Sequence, residues 1–171
     1  EKESGSIVNF YVTPVTRAEF LLGKQLPYVA LAMASFGLMC LAAVTAFGVP
    51  ITGSTPTLAL GALLFCVSST GLGLLASTLT RSQIAALFFT ALATMIPAVQ
   101  FAGLINPVSS LQGSGRLFGE VYPATYMFAV SRGVFSKALG FSDLRTEFWA
   151  LLAAIPVVLG LAVALLKKQE R

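Results

Sequence analysis

The chain has 171 residues, of which 56% are hydrophobic and only 11% are charged. A soluble domain carries about 25% charged residues, so this composition excludes an ordinary soluble domain and indicates a membrane protein. The formal net charge of +4 fits contact with anionic lipid. No basic stripe interleaved with aromatic residues indicates direct nucleic acid binding.

The residue types argue against a catalytic chain. The sequence has no histidine, which removes the commonest metal ligand and the commonest general base. Cys40 and Cys66 lie in apolar runs without a C-x-x-C pattern, so we interpret them as small hydrophobic residues. Composition leaves a Ser–Lys pair open, but the lysines lie at predicted helix ends, where snorkelling explains them. We expect no catalytic residue, metal or cofactor in this chain.

The first predicted element is Glu1–Tyr11, which mixes charged residues with a short apolar set. A short amphipathic helix on a membrane surface fits this pattern, and a frayed terminus is the alternative. Because the sequence starts with a polar, loop-like segment and no methionine, we expect a fragment of a longer protein. Thr13-Pro14 is a turn signal, and Thr16 with Glu19 forms a capping-box pattern that predicts a helix start.

The central feature is the run Gln25–Thr80, which contains no charged side chain. A membrane-spanning helix needs about 20 apolar residues, so this run is long enough for two spans. We place them at residues 28–47 and 57–79, after a lead-in over residues 1–26 and a kink at Pro27. The turn between them, Gly48–Thr55, is uncharged, and Ser54 or Thr55 would cap the next helix with Pro56 at its first position.

The second half of the chain predicts two further spans, at residues 84–101 and 148–166, the former bent at Pro97. Residues 102–147 between them are too broken for a span and too apolar for a free loop. We predict two short amphipathic helices there, at about residues 109–121 and 124–139, dipping into one membrane face.

Two local pairings are expected within this second half. Arg116 and Glu120 lie at helical spacing and would form an ion pair. Ser142-Asp143 would cap the last span, since an acid in the first turn favours a helix start.

The predicted fold is therefore an all-α membrane protein. Four transmembrane helices follow a cytoplasmic amphipathic helix, and the two short amphipathic helices lie on the outer face before the last span. The larger set of basic residues near span ends should be cytoplasmic, which places both ends of the chain on that side. That set is Lys2, Arg17, Lys24, Arg81, Lys167, Lys168 and Arg171; the smaller set is Arg116, Arg132, Lys137 and Arg145.

Two motifs need an explanation. Gly23-Lys24 is not a nucleotide-binding P-loop, because Ala18 stands at the first glycine position and Gln25 follows the lysine. The run Gly71–Ala76 matches G-x-G-x-x-A but lies within a predicted span. We interpret it as a helix-packing surface of small residues rather than a dinucleotide site.

Several motifs resemble the cytoplasmic loop and following helix of type-2 ABC exporter permeases. They are Glu1-Lys2-Glu3-Ser4-Gly5-Ser6-Ile7, Thr13-Pro14-Val15, Glu19, Gly23-Lys24 and Pro27-Tyr28. The later segments Ile96-Pro97, Phe101-Ala102-Gly103, Pro107 and Tyr122-Pro123 are similar to the outer hairpin of that family. The C-terminal part also resembles the permease part of ribosome-associated ATPases, in Gly119–Pro123, Phe135–Leu139 and Leu165–Glu170.

The resemblance implies a transmembrane permease segment of an ATP-driven ABC exporter in the bacterial inner membrane. It implies a nucleotide-binding domain as partner, with ATP and Mg²⁺ bound there, a second permease copy, and two further spans upstream. The implied coupling residues are Glu1, Lys2, Glu3, Ser4, Gly5, Ser6, Thr13, Pro14 and Glu19. For Glu19 the alternative is that it only closes the capping box. For the chain the alternative is a membrane anchor of an ATPase that works on ribosomes, with no solute transported.

Overall fold

A computed structural model of the protein describes residues 16–80, 82–105 and 108–165. All regular secondary structure within these ranges is helical. The helices are α1 (Arg17–Thr45), α2 (Thr55–Leu79), α3 (Gln83–Gln100), a 3-10 helix (Val108–Ser110), α4 (Ser114–Val121), α5 (Pro123–Ser136) and α6 (Arg145–Leu165). The helices α1, α2, α3 and α6 are each long and apolar enough to cross a membrane. The prediction of an all-α, multi-pass membrane protein is confirmed.

Helix α1 is continuous from its capped start to Thr45, although Pro27 lies inside it. Proline removes one backbone hydrogen bond, yet helices in membranes tolerate it because neighbouring groups satisfy the freed carbonyl. Residues 17–26 of the predicted lead-in and most of the predicted first span, to Thr45, are therefore parts of one helix. This matters for function, because a single helix connects the two ends of the bundle.

Helix α2 is the centre of the bundle and packs against α1, α3, α5 and α6. It begins as predicted, with Ser54 as N-cap and Pro56 in the first turn. Its small residues allow neighbouring helices to approach closely. A Cβ on Gly61 would lie 2.9 Å from Val130 Cγ1 of α5, and one on Gly71 would lie 3.1 Å from Val158 Cγ1 of α6.

The G-x-G-x-x-A run is thus a packing surface, but not at every position. Gly71 and Ala76 are buried, whereas a Cβ on Gly73 would meet nothing within 4 Å. The packing interpretation is confirmed for Gly71 and Ala76, and Gly73 faces away from the neighbouring helices.

The loop between α1 and α2 is attached to the end of α5. Thr52 Oγ1 donates to the backbone carbonyls of Val134 and Phe135, at 3.0 Å each, and the Gly53 amide donates to Val134 at 2.8 Å. Both carbonyls belong to the last turn of α5, where a helix has no internal donors. A Cβ on Gly53 would lie 2.7 Å from the Leu139 carbonyl oxygen, so only glycine fits this close approach.

The segment between α3 and α6 differs in detail from the two predicted amphipathic helices. Helix α4 starts later than predicted, at Ser114, and α5 ends earlier, at Ser136, where Ala138 with φ of 52° turns the chain. The ion pair Arg116–Glu120 is confirmed, with Nε and Oε1 2.7 Å apart on the exposed surface of α4. Helix α5 packs into the helix bundle and does not lie on its surface, because Met127, Val130 and Val134 are buried against α2 and α6.

The predicted cap at the start of the last span is wrong. Helix α6 begins at Arg145, and residues 141–144 form turns. The Asp143 carboxylate accepts a hydrogen bond of 2.9 Å from the Gly140 amide instead of capping the helix. Aspartate and serine favour such local turns as strongly as caps, and here the turn forms. Leu166 and the residues after it lie outside the described part of the chain.

Two hydrophobic clusters hold the bundle together at different heights. The distal cluster, on the side of the α1–α2 loop, contains Leu58, Ala62, Met127, Val130, Val134, Leu144 and Phe148, with Met33, Phe36 and Cys40 of α1 packed against it. The proximal cluster, near the start of α1, contains Leu21 and Ala162, with Phe20, Leu74, Leu75 and Val163 against it. Between the two clusters α1 and α2 meet through polar groups.

Candidate functional site

Most of the predicted coupling residues cannot be placed. Glu1, Lys2, Glu3, Ser4, Gly5, Ser6, Thr13 and Pro14 lie outside the described residues. Glu19 is the one predicted coupling residue that the described ranges include, so the geometry of the site is built from the start of α1.

The start of α1 is a complete capping box, as predicted. The Glu19 amide donates to Thr16 Oγ1 at 3.3 Å, and Glu19 Oε2 accepts from the Thr16 amide at 2.8 Å. The Thr16 hydroxyl also donates to Glu19 Oε2 at 2.7 Å. These bonds satisfy amides that have no partner at a helix start, and the Glu19 carboxylate opposes the positive end of the helix dipole. The start of α1 is therefore an exposed helix end that is stabilised by its own capping hydrogen bonds.

A cation lies one turn further along the same helix. Lys24 Nζ sits 4.8 Å from the centroid of the Phe20 ring, within the range of a cation–π contact. Phe20 also packs against the proximal cluster. Near its start, α1 therefore carries the charged side chains of Glu19 and Lys24 beside Phe20, which packs against the bundle. Charged groups next to an apolar contact are typical of a helix end at a membrane interface.

A buried polar contact between α1 and α2 involves a residue that the sequence analysis did not select. Gln25 is 3% exposed, and its Nε2 donates to the Val67 carbonyl at 2.7 Å and to Thr70 Oγ1 at 3.1 Å. In the sequence, Gln25 lies four residues after Leu21, so its side chain is on the same helix face as that buried leucine. Its partner in α2 lies far away in sequence, so the pairing was not predictable.

A cleft of about 260 Å³ opens between α2, α3 and the start of α5. Two hydroxyls in it are already bonded, since Tyr122 donates to the Thr94 carbonyl at 2.8 Å and Thr94 donates to the Thr90 carbonyl at 2.7 Å. Apart from the Ser69 hydroxyl, the rest of the wall is aromatic, thioether and aliphatic, which suits an apolar ligand. The lining residues are Phe65, Ser69, Thr94, Met95, Ala98, Tyr122, Ala124, Met127 and Phe128.

The described ranges 16–80, 82–105 and 108–165 contain no group of three or more His, Cys, Asp or Glu residues that could hold a metal ion. Cys40 and Cys66 are free thiols within them, and Cys66 is buried in α2. What this geometry offers is a capped helix end, a buried amide contact and an apolar cleft.

Comparison with known proteins gives one family and several permeases. The chain matches the family described as ABC-2 family transporter protein over residues 1–164. It is 34% identical over 135 residues, 79% of its length, to the Escherichia coli protein named "Probable multidrug ABC transporter permease YbhS". It is 22% identical over 99% of its length to "Probable multidrug ABC transporter permease YbhR" and 24% identical over 90% to "Inner membrane transport permease YhhJ", both of Escherichia coli.

The chain spans less than half the length of these relatives, covering 36%, 46% and 41% of them respectively. No solved structure matches it significantly. The resemblance to type-2 ABC permeases is confirmed. None of the three permeases is a ribosome-associated ATPase, so that closer resemblance stays a prediction.

Proposed function

Because the chain belongs to the ABC-2 family of transporter proteins, we propose that it is the membrane segment through which ATP hydrolysis in a partner domain drives export of a solute. The relatives are permeases, so the chain is the membrane component of an ABC transporter. Export as the direction, and coupling to ATP, are the parts proposed here. The whole protein's partners and substrates are proposals as well, since the chain covers only part of its relatives.

The observation that carries the proposal is the unbroken run of α1 from an exposed capped end to the opposite side of the bundle. The Thr16–Glu19 box fixes one end, and the loop after Thr45 is held to α5 by Thr52. A force applied near Glu19 would therefore reach both α2 and α5. Such transmission needs a stiff helix with two possible packings against its neighbours.

The partner that applies this force would be an ABC nucleotide-binding domain, which holds ATP and Mg²⁺. It would dock on the segment containing Glu1, Lys2, Glu3, Ser4, Gly5, Ser6, Thr13, Pro14 and Glu19. A second permease copy would complete the pathway, lipid would surround it, and no nucleic acid would bind. In the bacterial inner membrane both ends of the chain would be cytoplasmic, which puts the capped start of α1 on the side of the ATPase.

The apolar cleft supports a lipophilic solute. Flexible thioethers at Met95 and Met127 beside the rings of Phe65 and Phe128 form a surface that adapts to different shapes. The names of two relatives include the word multidrug, which fits such a surface. We expect the transported compounds to be lipophilic and of varied shape.

The test uses the full-length permease with its nucleotide-binding domain in liposomes, with a panel of lipophilic fluorescent dyes. We expect Glu19→Ala to reduce the dye moved per ATP hydrolysed by about fivefold, since loss of the Glu19 half of the capping box and of its charge costs on the order of 1 kcal/mol at this end of α1. Glu19→Gln is the matched control for capping, because glutamine at this position also closes the box. Unchanged coupling in Glu19→Ala would contradict the proposal.

The control also separates the two roles of Glu19. If only the cap matters, Glu19→Gln should transport like the wild type. If the carboxylate contacts the nucleotide-binding domain, both variants should be uncoupled. A Gly–Gly insertion next to Thr13 lengthens the connection without touching the box, and it should also uncouple hydrolysis from transport.

A further inference from the structure

The polar contact between α1 and α2 separates two apolar contacts of the same helices. In α1, Leu21 belongs to the proximal cluster and Met33 packs against the distal cluster, with Gln25 between them. In α2, Ala62 belongs to the distal cluster and Leu74 packs against the proximal one. Val67 and Thr70, which receive the amide, lie between those two positions on α2. The contact is thus a polar layer between two hydrophobic layers.

Gln25 is one of only two buried residues within α1, together with Leu21. Its neighbour Leu26 is 70% exposed, so the burial is specific to one face of the helix. Apart from these two side chains, the described part of α1 meets its neighbours through half-buried groups. Gln25 is therefore the buried polar side chain that joins α1 to α2, beside the apolar contacts of Leu21 and of the distal cluster.

The hydrogen bonds fix the orientation of the amide. The Val67 carbonyl can only accept, so the Nε2 group must face it at 2.7 Å. The second Nε2 hydrogen goes to Thr70 Oγ1, and the Thr70 hydroxyl in turn donates to the Cys66 carbonyl at 2.7 Å. Both donors of Gln25 are used, whereas its Oε1 is buried and has no hydrogen-bond partner.

Because the donors of Gln25 are bonded and its acceptor is not, separating α1 from α2 here costs less free energy than breaking a fully bonded amide contact. Polar bonds between membrane helices are strong enough to set helix position, but each contributes modestly because alternative partners exist in the membrane. The buried Oε1 lowers the net stability of the contact compared with a fully satisfied amide. The arrangement therefore favours one position of α1 without locking it there.

From this geometry we infer that Gln25 is a positioning residue of the transport cycle, which holds α1 against α2 at Val67 and Thr70 in the resting state and releases when α1 is displaced. The inference rests on the proposed function, because the displacement is the one that the nucleotide-binding domain would impose. Gln25 contacts neither solute nor nucleotide in this role; it sets the position of α1 through its two bonds to α2.

A native thiol next to the contact reports on it. Cys66 is 7% exposed, lies beside Val67, and its carbonyl accepts the Thr70 hydroxyl. The experiment uses the full-length transporter in lipid nanodiscs, in a background where Cys66 is the only cysteine. The measurement is the rate at which N-ethylmaleimide labels Cys66, without nucleotide and with ATP plus vanadate. The ATPase rate of each variant shows that it is folded and assembled.

In the wild type, ATP plus vanadate should raise the labelling rate roughly three- to tenfold, the range expected for loss of one to two modest hydrogen bonds. Gln25→Met keeps the volume and loses both bonds. It should label fast without nucleotide, and nucleotide should have no further effect. Thr70→Val should shift the resting rate part of the way, because the bond to Val67 remains. Thr70→Ser keeps the hydroxyl and should restore wild-type behaviour.

The inference is overturned if Gln25→Met hydrolyses ATP normally and keeps the wild-type response of Cys66 to nucleotide. If Gln25→Met does not assemble, Thr70→Val decides, and equal labelling of Thr70→Val and Thr70→Ser overturns the inference. Failure of the proposed function looks different. In that case the wild type itself shows no ATP-driven dye transport, whatever the labelling of Cys66.

Discussion

The hydroxyl of Tyr122 donates a hydrogen bond of 2.8 Å to the backbone carbonyl of Thr94, one turn before Pro97 in α3. Pro97 cannot donate to the carbonyl of Ala93, four residues earlier, so this turn of α3 lacks one backbone bond, and the Tyr122 hydroxyl adds a bond at the neighbouring carbonyl. Tyr122 stands between α4 and α5, so this bond attaches the short helices to α3. None of the described residues of α3 is buried, which makes the attachment important for its position.

Tyr122→Phe removes this bond and keeps the ring. We expect a loss of about 1 kcal/mol in the free energy of unfolding, the usual value of one hydrogen bond. Thermal unfolding in detergent measures it, with the wild type as reference. Tyr122→Leu, which also removes the ring from the cleft, should lose more. Equal stability of the wild type and Tyr122→Phe would show that the bond contributes nothing.

The attachment of the α1–α2 loop to α5 gives a second prediction. Thr52→Val removes the hydroxyl that donates to the Val134 and Phe135 carbonyls, so it should destabilise the protein by about 1 kcal/mol. Thr52→Ser keeps the hydroxyl and is the matched control. The two variants should differ in melting temperature. Identical melting temperatures would mean that these carbonyls find other donors at no cost.

Glycines of α2 in different surroundings should respond oppositely to alanine. Alanine in place of glycine stabilises a helix by up to about 1 kcal/mol, while overfilling a packed site costs about 1–3 kcal/mol. Gly61→Ala places a Cβ 2.9 Å from Val130 Cγ1, so it should destabilise the protein, and Val130→Ala should partly rescue it. Gly73→Ala meets nothing within 4 Å and should be neutral or stabilising. The reverse order of stabilities would contradict the packing described for α2.

The ion pair on α4 should matter little for stability. Arg116 and Glu120 are 59% and 48% exposed, and exposed pairs of this spacing contribute about 0.3–0.5 kcal/mol. Glu120→Gln should therefore change the melting temperature by no more than the error of the measurement at moderate salt. A large loss of stability, persisting at high salt, would show that Glu120 has a role other than this pair.

Local patterns were predictable because their partners are close in sequence. The Thr16–Glu19 box, the Ser54 cap and the Arg116–Glu120 pair each join residues three or four positions apart. The spans followed from the apolar composition, since lipid requires long helices with internally bonded backbones.

Contacts between helices were not predictable in the same way. Thr52 meets Val134, and Gln25 meets Thr70, only because the bundle brings distant segments together. The depth of α5 depends on the small residues of α2 that receive it, which a single-helix pattern does not reveal. The predicted Ser142–Asp143 cap failed because the same side chains also favour a turn with Gly140.

The central claim is that a solute crosses the membrane through this segment under the control of ATP. The most direct test replaces the helices α1 to α6 in the full-length protein by an unrelated membrane anchor and measures ATP-dependent dye efflux. We predict that efflux is lost while the ATPase stays at the membrane. Efflux equal to that of the wild type would show that these helices only anchor the ATPase, and it would contradict the account.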